Sequence, residues 1–345
     1  MIPYIIFAIL LFILYRRSSP VGMTLVLIVF AVIRYDTGWD YMSYFDACTD
    51  YTSLSIAQLA WGEIWSWWFE LMYDNKIPFI GIGVPAFLTN ILISLSFWIL
   101  LDNDKKRTSE ALLVYGLWPF LYLQSFCVVR QFLAIGVSIF AFALFYKKRY
   151  LFSIVLYIIS VLLHTSSVIA IVFPLIFNLK KSLSVVKVVG CSVVAVLSLG
   201  GLYVVLMSFG LAGYADLLES EDNFGGKIGL VYFLLSIFFL ATISKNKNNT
   251  SANSKILSFF SICIIIQFFV YVAPIPSVIS RAILYGIIFM PISFIYSLEI
   301  MKLPISKDMI YFIMLLFMIV YLVITKDSPG AVSQYIPYKT IWSLH

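Results

Sequence analysis

The chain has 345 residues, of which 62% are hydrophobic and only 12% are charged. Soluble domains are near 45–50% apolar and about 25% charged, so this composition excludes an ordinary soluble protein and predicts an integral membrane protein. The net charge of +6 does not indicate a nucleic-acid partner, because the basic residues are dispersed in short loops. The four cysteines are far apart and form no C-x-x-C pair, so they predict neither a disulfide framework nor a metal site.

Apolar runs follow one another along the whole chain and predict an all-α fold with about twelve transmembrane helices. A spanning helix needs about 20 residues, so several shorter runs are expected to be tilted, broken or extended by polar residues. We interpret residues 1–345 as a single transmembrane domain. The runs are 2–15, 20–33, 79–101, 109–126, 129–146, 150–163, 165–179, 183–206, 228–243, 256–273, 282–300 and 308–325.

The basic residues cluster between alternate runs and predict the orientation of the protein. If Arg16 and Arg17 are cytoplasmic, 16 of the 23 basic residues fall in cytoplasmic segments and 12 of the 17 acidic residues fall outside. Lys and Arg favour cytoplasmic loops, so this orientation is the expected one. It makes 34–78 and 208–227 the two long outer loops. It also makes the polar, low-complexity segment 245–255 a cytoplasmic linker.

The stretch 150–177 is apolar except near His164. A single helix would place Lys180 and Lys181 on the opposite side from the basic cluster 147–149, against the charge rule. We therefore predict two short helices that meet near His164 at the outer side.

The first outer loop contains apolar residues at helical spacing, which predict an amphipathic helix over 54–73 lying on the outer leaflet. Its tryptophans are either interfacial anchors or platforms on which sugars stack. The second outer loop is acidic and has glycines at both ends. It is either a movable lid or a solvated connector.

Polar residues that are unusual near a membrane fall at the predicted outer ends of the runs. Charged groups near hydrocarbon are costly, so each is a candidate functional residue, although an arginine can also extend to lipid headgroups. The candidates are Arg34, Asp36, Asp40 and Tyr44 after the second run, Arg130 and Gln131 at the start of the fifth, His164 after the sixth, and Arg281 and Tyr285 in the eleventh.

These segments resemble the EpsG family of bacterial exopolysaccharide and O-antigen polymerases. The matching pieces are R-Y-D-T-G-W-D-Y-x-x-Y at 34–44, R-Q-x-L-A at 130–134, the K/R-x-Y…L-L-H-T-S-S run at 149–167, R-x-x-x-Y at 281–285 and Y-I-P-Y-K at 335–339. The resemblance implies a Wzy-like polymerase with a GT-C-like helical architecture. It would join undecaprenyl-pyrophosphate-linked oligosaccharides at the outer face of the bacterial inner membrane, beside a flippase and a chain-length regulator of the same pathway.

The residue types suit this chemistry. Breaking a sugar–pyrophosphate bond releases an anion, and the planar guanidinium of arginine binds phosphate oxygens with two parallel hydrogen bonds. We therefore expect the arginines, with Gln131, Tyr44 and Tyr285, to bind the substrate. His164 is the candidate general base for the acceptor hydroxyl, with Asp36 and Asp40 as alternatives.

No H-E-x-x-H motif is present, and no D-x-D motif lies in the predicted outer segments, so we expect neither a metal nor another cofactor. Three alternative functions share some of these features. They are a flippase or transporter of lipid-linked oligosaccharide, a membrane O-acyltransferase of polysaccharide, and an O-antigen ligase.

Overall fold

The computed structural model describes residues 1–208, 225–246, 250–272, 277–325 and 335–344. Most of the predicted second outer loop lies outside these residues, and so does part of the 245–255 linker. The α-helices are α1 (Ile2–Arg16), α2 (Pro20–Val32), α3 (Tyr41–Ala47), α4 (Tyr51–Ala60), α5 (Glu63–Asp74), α6 (Pro78–Leu100), α7 (Lys105–Leu117), α8 (Gln124–Cys127), α9 (Val129–Tyr146), α10 (Tyr150–Leu163), α11 (Val172–Phe177), α12 (Val185–Ser208), α13 (Gly225–Lys245), α14 (Ala252–Val272), α15 (Ser277–Ile287), α16 (Met290–Met301) and α17 (Lys307–Thr325).

The remaining regular elements are short. The 3₁₀ helices cover Thr165–Ile171 and Ile341–Leu344, and the strands β1 (Arg34–Tyr35) and β2 (Lys339–Thr340) form an antiparallel pair. The described part of the chain is therefore almost entirely helical, and the predicted all-α class is confirmed.

Several helices are long and apolar enough to cross a membrane. In the described residues there are five, and a sixth candidate is the pair Arg281–Ile287 and Met290–Met301, which is bent by 43°. Five shorter apolar helices accompany them. The protein is thus a helical membrane protein, whereas the number of twelve spans and the GT-C-like architecture stay predictions. The five long helices are Pro78–Leu100, Val129–Tyr146, Ile228–Lys245, Ala252–Val272 and Lys307–Thr325.

The fourth predicted run, 109–126, is not one helix. α7 ends at Leu117, and Trp118 is extended with a ψ of 108°. Trp118 precedes Pro119, and the proline ring disfavours the helical conformation of the residue before it. The chain turns before the short helix α8 and then enters α9, so the prediction of a continuous run was wrong here.

The predicted amphipathic helix over 54–73 is also two helices. α4 and α5 are separated at Gly62, whose φ is +84°, a left-handed conformation that glycine adopts without steric cost. Within α5, Trp65, Phe69 and Met72 are buried, whereas 62% of Trp67 is exposed. One face of α5 is therefore buried and another is exposed, and the position of this segment on the outer leaflet stays a prediction.

The break near His164 is confirmed. α10 ends at Leu163, and His164 is extended with φ −160° and ψ 119°. The chain then continues as the 3₁₀ helix Thr165–Ile171 and as α11. The placement of this break at the outer side stays a prediction.

The chain divides into two compact units. The first unit comprises Met1–Val168 and Ile305–His345, and the second comprises Ile169–Pro304. In the first unit α9 packs against α6 and α10, and in the second unit α14 packs against α12, α13, α15 and α16. The prediction of a single transmembrane domain concerns how these units lie together, and it stays a prediction.

Candidate functional site

The segment from β1 to α3 is held against the backbone that precedes α9. Asp36 and Gly38 have φ values of +45° and +100°. A Cβ atom on Gly38 would lie 2.4 Å from the carbonyl oxygen of Phe126. Only glycine combines this conformation with so close an approach. The turn therefore fixes the start of α3, and with it Asp40 and Tyr44, beside α8 and α9.

Arg34 is buried inside the first unit, with only 1% of its surface exposed. Its guanidinium carbon lies 4.5 Å from the centre of the Phe126 ring, and Nη1 donates to the carbonyl of Ala31. Nε and Nη2 are buried without a hydrogen-bond partner among the described residues. Burial lowers the pKa of Arg34. A phosphate would reach this side chain only after a local movement, so pyrophosphate binding by Arg34 stays a prediction.

The C-terminal segment covers the same turn. β2 pairs with β1 so that Lys339 lies opposite Tyr35. Lys339 Nζ forms an ion pair with the carboxylate of Asp36, and the Tyr338 hydroxyl donates to the carbonyl of Phe30. The sequence did not predict this pairing. Its signal was the Y-I-P-Y-K match at 335–339, which sequence reasoning did not connect to residues 34–36.

Arg130 lies in the first turn of α9 and is half-buried. Its guanidinium carbon is 4.7 Å from the centre of the Trp61 ring and 5.9 Å from that of Tyr44. Nε donates to the Tyr44 hydroxyl at 3.4 Å, and Nη1 donates to the Trp61 carbonyl at 3.5 Å. Among the described residues, no carboxylate lies within 4 Å of this guanidinium.

Tyr44 links Arg130 to Asp40. The Tyr44 hydroxyl donates to Asp40 Oδ2 at 3.2 Å while it accepts from Arg130. Burial, followed by the charge of Asp40, raises the pKa of the Tyr44 phenol. The phenol therefore keeps its proton, and the three side chains form a relay from a carboxylate to a cation.

An aromatic cluster, defined here as Tyr44, Trp61, Trp65 and Phe69, connects this relay to His164. Tyr44 stacks on Phe69 with ring centres 5.7 Å apart, and Phe69 stacks on Trp65 at 5.8 Å. The Trp65 indole nitrogen donates to the carbonyl of Leu163 at 2.8 Å. The residue before His164 is thus fixed to the cluster that supports Arg130.

His164 is half-buried, and its Nδ1 lies 2.6 Å from the Ser166 hydroxyl oxygen. Gln131, beside Arg130, is buried within the first unit. Arg281, which is exposed, and Tyr285, which is buried, belong to α15 of the second unit. The structure therefore collects Arg34, Asp36, Asp40, Tyr44, Arg130 and His164 in one unit and places Arg281 and Tyr285 in the other.

Metal ligands are a separate question. Among the residues that the structure describes, no three His, Cys, Asp or Glu side chains are grouped so that they could share an ion. The expectation of a metal-independent site stays a prediction that an activity measurement must test.

The model of the EpsG family matches residues 19–340. The chain belongs to the EpsG family. The match includes every candidate site residue and Lys339. No curated protein and no solved structure matches this chain. Family membership and the apolar helices together make this EpsG protein a polymerase-like membrane protein of polysaccharide biosynthesis.

Proposed function

We propose that this EpsG protein is a polysaccharide polymerase. It would join undecaprenyl-pyrophosphate-linked oligosaccharide repeat units at the outer face of the bacterial inner membrane, making O-antigen or exopolysaccharide. The observation that carries the proposal is the arrangement of Arg130, Tyr44 and Asp40, fixed by one aromatic cluster to the turn that holds His164. This arrangement offers a cation for the leaving pyrophosphate and a base for the acceptor.

The reaction transfers a glycan between two lipid-linked substrates. The acceptor hydroxyl oxygen forms a bond to the anomeric carbon of the donor. The bond from that carbon to the pyrophosphate oxygen breaks, and undecaprenyl pyrophosphate leaves with the electron pair. The hydroxyl proton passes to the general base, and negative charge builds up on the leaving pyrophosphate.

Arg130 is the proposed electrostatic group. Its hydrogen bonds of 3.4 and 3.5 Å are longer than the usual 2.7–3.2 Å. They hold the guanidinium in place but use little of its capacity, so its N–H groups can turn to two phosphate oxygens. Gln131, next to Arg130 in α9, is proposed to bind the same substrate, and Arg281 and Tyr285 of α15 stay predicted substrate-binding residues.

His164 is the proposed general base. If Nδ1 carries the proton and donates to Ser166, Nε2 is unprotonated and can accept the acceptor proton. The contacts of the two alternatives differ. Asp36 is paired with Lys339, and Asp40 accepts from Tyr44. Both carboxylates are thus already held by other side chains, which favours His164.

The partners follow from this chemistry. The donor and the acceptor are both undecaprenyl-pyrophosphate-linked oligosaccharides in the bilayer, and a flippase and a chain-length regulator of the same pathway would act beside the polymerase. The mechanism needs neither a metal nor another cofactor, because the arginines neutralise the leaving group.

Reconstitution tests the proposal directly. Purified protein in proteoliposomes, supplied with lipid-linked repeat units, should produce a ladder of longer glycans and release undecaprenyl pyrophosphate, also in excess EDTA. Movement of labelled substrate across the bilayer without lengthening would indicate a flippase instead. Loss of the ladder in EDTA, restored by Mg²⁺ or Mn²⁺, would overturn metal independence and indicate that Asp36 and Asp40 bind a cation.

A further inference from the structure

A cavity of about 810 Å³ lies in the second unit, within the usual range of ligand sites. It is bounded by the start of α12 and the end of α13. Both helices are apolar along most of their length. We expect a cavity at the ends of two apolar helices to lie near the lipid headgroups, because the apolar lengths of the helices occupy the hydrocarbon.

The lining of the cavity combines cations with an apolar wall. Lys181 and Lys187 contribute the positive charge, with Ser184 between them in sequence. Leu240 and Ile243 of α13 contribute apolar surface. This composition suits a ligand that carries both a negative charge and a hydrocarbon chain.

Lys187 is unusual because it stands in the first turn of an otherwise apolar helix. A charge beside hydrocarbon is costly unless it finds an anionic partner. In the described part of the chain, no carboxylate lies within 4 Å of Lys181 or Lys187. Neighbouring lysines are used differently, since Lys245 donates to the carbonyl of Met301 and Lys255 to that of Phe177.

We propose that this cavity binds an anionic phospholipid, with its phosphate between Lys181 and Lys187 and an acyl chain along Leu240 and Ile243. The first turn of α12 adds to the attraction, because N–H groups at a helix start favour an anion. The cavity is lined by residues of the second unit alone, and its ligand does not depend on the polymerase chemistry.

Phosphate is the shared chemistry of a lipid headgroup and of a free anion, so the test must separate them. Native mass spectrometry of the purified full-length protein should show more bound phosphatidylglycerol than phosphatidylcholine. Lys181→Gln and Lys187→Gln should each weaken phosphatidylglycerol binding roughly fivefold, the effect of about one basic residue at an anionic surface. Inorganic phosphate alone should neither bind measurably nor raise the thermal unfolding temperature.

Lys180→Gln is the matched control, because Lys180 is exposed like its neighbour Lys181 but does not line the cavity. It should leave binding unchanged. Equal binding of the two lipids, or equal weakening by Lys180→Gln, would show only general attraction of lipid to basic residues and would overturn the site. An equal effect of inorganic phosphate would indicate a free-anion site instead of a lipid site.

Discussion

Arg130 is half-buried beside an aromatic ring and makes only long hydrogen bonds. One face of its guanidinium is covered by Trp61, and its two hydrogen bonds are long. Arg34 differs although the two share an aromatic environment, because it is buried and already donates to Ala31. The two arginines therefore differ in burial and in hydrogen bonding, and Arg130 is the one that we propose contacts substrate.

Arg130→Lys should fail nearly as badly as Arg130→Ala, because lysine keeps the charge but loses the planar fork and the stacking on Trp61. We expect a loss of about 10²–10³-fold in kcat, the scale of removing one oxyanion donor. The measurement is polymer made by purified protein, normalised to protein amount. Arg17→Lys, in an exposed segment between α1 and α2, is the control and should keep its activity. Near-normal polymerisation by Arg130→Lys would show that Arg130 only supports the aromatic cluster.

His164→Ala and His164→Gln should insert normally but lose about 10²–10⁴-fold in rate, the usual worth of a general base. Wild-type activity should fall as pH is lowered, because a protonated imidazole cannot accept the acceptor proton. Rates measured over a range of pH distinguish a general base from a hydrogen-bond donor. If His164→Gln keeps much of the activity and the rate no longer falls at low pH, His164 is a hydrogen-bond donor to the pyrophosphate.

Ser166→Ala extends the same test, because the Ser166 hydroxyl lies 2.6 Å from Nδ1. In Ser166→Ala the tautomer with Nε2 unprotonated loses the hydrogen bond that stabilises it, so the rate should fall. The loss should be smaller than in the His164 variants, because the imidazole is still present. Thr165→Ala is the control, since that side chain is exposed. Full activity in His164→Ala would move the base to Asp40 or Asp36.

At the scale of elements, the strand pair β1–β2 and the turn 36–38 determine where α3 begins. Asp36 and Gly38 of this turn have left-handed conformations, and Gly38 lies directly against the backbone of Phe126. The C-terminal segment closes over it through Lys339. A short piece of chain far from Arg130 in sequence thus supports Asp40 and Tyr44.

Gly38→Ala should destabilise the protein much more than Gly62→Ala, which changes the glycine between α4 and α5. Both glycines have positive φ, so both alanines pay roughly 1–2 kcal/mol for the left-handed conformation. Only at Gly38 would the new Cβ meet a backbone atom, since Gly62 has open space around it. The thermal unfolding temperature and the polymer yield should both fall for Gly38→Ala and should fall much less for Gly62→Ala. Equal effects would mean that the close approach to Phe126 is not needed.

Asp36→Asn and Lys339→Gln should each lower kcat/KM by about two- to fivefold, because a partly exposed ion pair contributes less than about 1 kcal/mol. The exchanged pair Asp36→Lys with Lys339→Asp should recover part of that loss. Lys76→Gln, at an exposed lysine after α5, is the control. A much larger loss in Asp36→Asn that the exchange does not repair would indicate that Asp36 is itself the base.

At the scale of the whole molecule, the proposal requires the first-unit site to face outward. In a cysteine-free background, a cysteine at Gln58 should be labelled by an impermeant thiol reagent in intact cells. A cysteine at Lys106 should be labelled only after the membrane is opened. Both positions are exposed, so protection would report the membrane and not burial. Labelling of Lys106→Cys from outside would invert the topology and contradict an outer active site.

The sequence by itself determined the membrane class, the helical fold and most helix positions, because hydrophobic runs and charge asymmetry are local properties of the chain. It also located the break at His164, since one polar cluster interrupts an apolar stretch there. It missed the breaks at Gly62 and before Pro119, because apolar periodicity outweighed the local conformational preferences of glycine and proline.

Only the tertiary structure decided how the candidate residues differ. Arg34 and Arg130 look alike in sequence, but Phe126, Tyr41 and the C-terminal segment bury the first, while Trp61 and Tyr44 leave the second half-buried. These contacts join residues far apart along the chain, such as Lys339 with Asp36 and Trp65 with Leu163. No local pattern encodes such pairs, because they depend on how the helices pack and where the C-terminal segment lies.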